Sequence, residues 1–131
     1  MGLILEQNIQ KEVTGSMENI NLLTKGAFLF LVGQSLVFYQ INGQFFWETA
    51  KKYPVMMSLL GIPISFVYIY ATKYTVEAFD GSLWPQRLIG FAVGILSFSF
   101  LTYYHLGEPI TLKTGVTLLL AFIIVLIQIF Y

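Results

Sequence analysis

Leu83-Trp84-Pro85-Gln86-Arg87 opens the stretch on which the reading of the whole chain turns. From Leu88 to Leu106 no Lys, Arg, Asp or Glu occurs. A polar hinge follows, Gly107-Glu108-Pro109-Ile110-Thr111-Leu112-Lys113, and the chain is then uncharged from Thr114 to Tyr131. The two runs hold 19 and 18 residues. A helix rises about 1.5 Å per residue and needs roughly 20 apolar residues to cross a hydrocarbon core of about 30 Å. In lipid the backbone must satisfy itself as a helix or a closed barrel, and these runs lack the alternation of barrel strands. They read as a transmembrane helical hairpin.

Composition points the same way. The 131 residues are 56% hydrophobic and 11% charged, and mean hydropathy is +0.73. Soluble domains carry about 25% charged residues, so this chain has less than half the usual supply for wetting its surface. With no cysteine there is neither a disulfide framework nor a thiolate metal site. A net charge of zero without a basic patch removes the basis for binding nucleic acid.

Residues 1–20 form a polar N-terminal segment, with Glu6, Lys11, Glu12 and Glu18 among Gln, Asn, Thr and Gly. Gly15-Ser16-Met17 looks like a cloning junction, which makes residues 1–16 either a vector-derived leader or a native interfacial terminus. Residues 21–131 form the helical domain. Its first span is the uncharged stretch Gly26 to Trp47, and Glu48 to Lys52 is a short loop. The second span covers Tyr53 to Thr72, with Pro54 at its start and Pro63 placed to kink it. That helix can run on to about Phe79, with Lys73 and Glu77 in register to pair, before Asp80-Gly81 stops it. Ser82 or Trp84 caps the third helix, with Pro85 in its first turn. The expectation is an all-α, integral membrane four-helix transmembrane bundle crossing near 26–47, 53–72, 88–106 and 114–131. Such a protein is multi-pass, surrounded by membrane lipids, and belongs in the cell membrane. Lysines and arginines split four against three between the two sides, so charge does not orient it.

No catalytic set is present. His105 has no second His or Cys to form a metal site, and the Ser and Asp residues lack a His for a triad. Neither an enzyme nor a cofactor is expected. Neutral amides are more informative. Gln40 and Gln44, one turn apart, share a face of the first span, with Gln34 about 80° away at roughly 100° per residue. Amides in lipid need partners, so they either line a substrate cavity or act as interhelical staples. Tyr39 and Tyr68 belong to an aromatic set, with Phe38, Phe45, Phe46, Tyr70, Tyr103 and Tyr104, that can line a site or anchor the interface. Gly90 and Gly94 share one helix face and predict the closest helix–helix contact, placed between the subunits of a homodimer in preference to a contact with another helix of the same chain. Arg87 and Glu108, at opposite ends of the third helix, can pair only between antiparallel copies.

Gly90-Phe91-Ala92-Val93-Gly94 leads into Leu106-Gly107-Glu108-Pro109-Ile110-Thr111 and a last hydrophobic helix. This pattern resembles the closing hairpin of the drug/metabolite transporter superfamily, over residues 54–131. The four-helix length is similar to that of the small multidrug resistance proteins, which are proton-coupled exporters working as antiparallel dimers. The resemblance implies a transporter or flippase-like protein that moves a small or lipid-like molecule. The alternative is a non-transporting accessory or structural subunit of a larger complex. The small multidrug resistance proteins carry a glutamate inside the first helix, where this chain has Gln34, Gln40, Asn42 and Gln44. The substrate chemistry therefore differs.

Overall fold

A computed structural model describes residues 2–130, apart from the side chains of Val13, Thr14, Ser16 and Ile129. The described chain is all-helical, with no strand. Helix α1 runs unbroken from Gly2 to Asn42, about 60 Å at 1.5 Å per residue. The change of composition at residue 20 leaves no mark on it. Leu, Gln, Glu and Lys are good helix formers, and no proline interrupts them.

The first span ends earlier than Trp47. A 3-10 turn, Gly43–Phe45, tightens the end of α1, and the Trp47 amide returns to the Gly43 carbonyl at 2.7 Å. The expected loop at 48–52 is instead a short helix, α2 (Glu48–Lys52). Glu48 lies in its first turn and Lys51 and Lys52 in its last, where each sign suits the helix dipole.

The second apolar run is two helices, α3 (Pro54–Leu59) and α4 (Gly61–Ala78). The interruption falls at Leu60, just before Pro63, whose missing N–H leaves the Leu59 carbonyl without its helical donor. A Schellman turn closes α4. The Gly81 amide reaches the Val76 carbonyl at 2.9 Å and the Asp80 amide reaches Glu77 at 3.3 Å. Asp80 takes the left-handed conformation at φ 55°.

Helix α5 (Trp84–Leu106) starts after Leu83, and no side chain caps it, neither Ser82 nor Trp84. It ends at Gly107, left-handed at φ 69°. Helix α6 (Leu112–Phe130) starts inside the expected hinge, because the Thr111 hydroxyl accepts the Thr114 amide at 3.3 Å. The last expected residue of that span, Tyr131, lies outside the described residues.

Three stretches are long and apolar enough to cross a membrane: Gly2–Phe45, Pro54–Ala78 and Trp84–Leu106. The fourth, Leu112–Gln128, is apolar but shorter. Helix α1 packs against both α4 and α5, which touch each other more sparsely, and α6 rests on α5. Few residues are buried. Phe30 and Phe38 of α1, Ile64, Ala71 and Thr75 of α4, and Ile89 and Ala92 of α5 form most of the core.

The tightest approach is not where Gly90 and Gly94 placed it. A Cβ on Gly26 would overlap the Thr75 hydroxyl and stand 3.1 Å from the Thr75 nitrogen and 3.2 Å from the Ala71 oxygen. Backbone therefore meets backbone between α1 and α4. Gly90 and Gly94 face α1 of the same chain, not a partner copy. Gly90 lies under the Phe30 ring, at 3.1 Å from a built Cβ, and Gly94 under the Gln34 amide, at 2.7 Å. Side chains of α1 thus occupy those notches.

Gly26→Ala tests the packing. Alanine raises helix propensity by about 1 kcal/mol, but its methyl would strike backbone that cannot turn aside. We expect a net loss of about 1–3 kcal/mol, typical of overpacking. Gly15→Ala, where a Cβ meets nothing within 4 Å, should be neutral or stabilising by up to about 1 kcal/mol. Thermal unfolding of the two variants side by side separates the effects.

Candidate functional site

Where α4 and α5 diverge over α1 they leave a partly open cavity of about 400 Å³. Its floor is Phe30 and Gln34 of α1. One wall is Tyr68 and Thr72 of α4, and the other is Gln86, Arg87, Gly90 and Phe91 of α5. Gly90 has no side chain to fill the space, and Phe30 leans across it with its ring centre 6.1 Å from that of Tyr68. The Gln34 amide is held in place, donating from Nε2 to the Gly90 carbonyl at 3.2 Å. Tyr68, Thr72, Gln86 and Arg87 make no side-chain hydrogen bond to any described group. Three neutral polar side chains and one guanidinium thus present unused hydrogen-bonding capacity to one space. No carboxylate lines it.

A second cavity of about 400 Å³ lies further along α1, lined by Gln40, Ile41, Gln44, Ala50, Lys51, Pro54, Met57 and Ser58. Gln40 and Gln44 share it, as their spacing predicted, but neither amide is free. Gln40 Nε2 donates to the Met57 carbonyl at 3.1 Å, with Ser58 at 3.5 Å. These carbonyls lie at the end of α3, just before the break ahead of Pro63. Gln44 Nε2 turns back to the Ile41 carbonyl at 2.9 Å. Gln40 is thus an interhelical staple at a helix break. At the level of the first cavity, α1 and α4 close on each other at Gly33, where a Cβ would stand 3.3 Å from the Tyr68 ring and from Val67. Gln34 and Gln40 are six residues apart, about 9 Å along the helix.

Tyr39 lines neither cavity. Its hydroxyl shares a hydrogen bond of 2.9 Å with His105 Nε2, and its ring stacks on Trp47 at 5.2 Å. His105 stacks on Phe46 at 4.4 Å and 6°, with Phe38 6.2 Å away. The group ties the ends of α1, the 3-10 turn and α5 together by ring contacts, each worth about 0.5–1.5 kcal/mol. The two partners, Tyr39 and His105, are 66 positions apart in the chain. Local spacing gives no signal for that pairing.

Of the expected ligand residues, Gln34 and Tyr68 come together, Gln40 and Gln44 come together elsewhere, and Tyr39 stands apart. The first cavity also takes in Thr72 and Gln86, for which local spacing gives no signal, and Arg87, which the sequence offers as one half of an intersubunit ion pair. Within the chain Arg87 cannot meet Glu108. Arg87 lies in the first turn of α5 and lines the cavity, and Glu108 follows that helix's last residue. No family model matches this chain, and neither a curated protein nor a solved structure matches it.

The staple generates a prediction. Gln40→Leu should cost about 1 kcal/mol, the net worth of one such hydrogen bond. In a Pro63→Ala background, where the backbone donor is restored and the helix can close the break, the same change should cost less. Urea or thermal unfolding of the four-variant cycle measures the coupling. Strict additivity would mean that Gln40 and the break are independent.

Proposed function

We propose that the chain is a multi-pass integral membrane protein of the cell membrane, a small transporter or flippase-like protein of drug/metabolite transporter type. The supporting observation is the pair of polar cavities, each of about 400 Å³, set at different depths along α1. Passage from one to the other would require α1 to part from the helices packed on it, a movement that alternating access also requires. Four crossings are part of this reading. The 17 residues Leu112–Gln128 cover about 26 Å as a helix, within the range that spans a bilayer.

Leu, Ile and Phe are exposed along most of α5 and α6, including Phe100 at 69% and Leu119 at 58%. A water-soluble surface of that kind would aggregate, whereas lipid accepts it. The superfamily resemblance of residues 54–131 agrees with this reading but supplies no driving ion, since no carboxylate lines either cavity. In a homodimer of this kind the Gly90 and Gly94 notches would already hold Phe30 and Gln34 of the same chain.

Reconstitution in vesicles tests the proposal. With fluorescent phospholipid analogues in one leaflet, the folded protein should speed their appearance in the other. Gln34→Leu should slow that transfer several-fold, because about 1 kcal/mol is a factor of about five. A pH gradient should leave the rate unchanged, as should Glu108→Gln. Folded protein that moves neither lipids nor small amphiphiles would overturn transport and leave the accessory-subunit reading.

A further inference from the structure

The first cavity does not end at Phe91. An apolar groove of about 220 Å³, lined by Gln34, Phe91, Gly94, Ile95 and Phe98, continues from it and shares Gln34 and Phe91 with it. On α5 the residues Arg87, Phe91, Ile95 and Phe98 follow one another at helical spacing, within an arc of about 80°. A polar chamber thus opens into an apolar channel along one helix face, with the only charge, Arg87, at its head. Gly94 keeps the channel open, and Phe98 closes its far end edge-on to Phe38 at 5.6 Å. From Arg87 to Phe98 the helix rises about 16 Å, close to the ~15 Å of half a hydrocarbon core.

We infer that this continuous site holds one anionic phospholipid, with its phosphate at Arg87, Gln86 and Thr72 and one acyl chain in the Phe91–Ile95–Phe98 groove. Three features select that ligand. The single charge of the lining is a cation and no carboxylate answers it, so the complement is an anion. A guanidinium binds phosphate oxygens through paired donors, and the neighbouring amide and hydroxyls add further donors. The groove extends one leaflet's depth below the charge, and Phe91 and Phe98, exposed at 56% and 51%, give it apolar walls that a soluble phosphate would not use. The inference rests on the membrane reading above and names the ligand class for its first cavity.

Equilibrium association of spin-labelled lipids tests it, using the full chain in phosphatidylcholine vesicles without any gradient. Spin-labelled phosphatidylglycerol should be immobilised about fivefold more than spin-labelled phosphatidylcholine, the attraction of about 1 kcal/mol expected of one basic side chain. Arg87→Gln should bring that ratio close to one. Lys113→Gln, which removes the same charge elsewhere, should leave it unchanged. Ile95→Trp, which fills the groove, should lower the immobilised fraction of phosphatidylglycerol, with circular dichroism confirming an intact helical fold. Inorganic phosphate at millimolar concentration should not displace the lipid.

Equal association of the two lipids would overturn the inference, as would equal losses in Arg87→Gln and Lys113→Gln. Displacement by inorganic phosphate would assign the chamber to a soluble anion and overturn the lipid. Binding without translocation would leave this site standing while transport fails. Translocation with an Arg87→Gln ratio still at the wild-type value would do the reverse.

Discussion

Everything in this fold depends on how closely two helices can approach α1. In the membrane setting proposed above, burying apolar surface gives no preference for protein over lipid tails, so van der Waals contact and hydrogen bonds would hold the helices together. Contact of that kind needs side chains that do not stand in the way. Gly26 brings the backbone of α1 onto Ala71 and Thr75, and Gly33 receives the ring of Tyr68. Across the other seam the roles reverse, with Gly90 and Gly94 receiving Phe30 and Gln34. Because α1 is occupied on two sides, α4 and α5 are left to diverge. Their divergence is the first cavity.

The polar side chains divide according to whether backbone needs them. Gln40 serves carbonyls beside the break ahead of Pro63, and Gln44 serves its own helix end. Ser35, Ser58, Ser65, Thr75 and Ser99 return their hydroxyls to carbonyls four residues back, which keeps them satisfied without any partner helix. Tyr68, Thr72, Gln86 and Arg87 do none of this. Their convergence on one space separates a site from the ordinary neutralisation of polar groups in an apolar bundle. Gln34 belongs to both groups, anchored to Gly90 yet facing the cavity.

At the opposite end of α1 the aromatic cluster performs a different task. Tyr39, Phe46, Trp47 and His105 join a helix end, a 3-10 turn and the last turn of α5 without any ion pair. An aromatic ring with a polar edge suits a position between apolar and wet surroundings. The cluster also occupies Tyr39, which keeps it out of both larger cavities.

What the sequence determined by itself was the class of structure and its punctuation. Uncharged runs of spanning length dictate long apolar helices, because the backbone's hydrogen bonds leave few other solutions where side chains carry no charge. Asp80-Gly81 and Gly107 stop helices where they stand, and Pro63 carries its break with it, since these effects act within one turn. The sharing of a cavity by Gln40 and Gln44 was legible for the same reason: residues one turn apart cannot avoid sharing a face. Tertiary structure decided which glycine meets backbone and which meets a side chain, that Gln34 joins Tyr68, and that Arg87 lines the same cavity. It also decided that Tyr39 belongs to His105. Each of these depends on the rotation and offset of one helix against another, set by the summed fit of many small contacts, and no local pattern of residues encodes that sum.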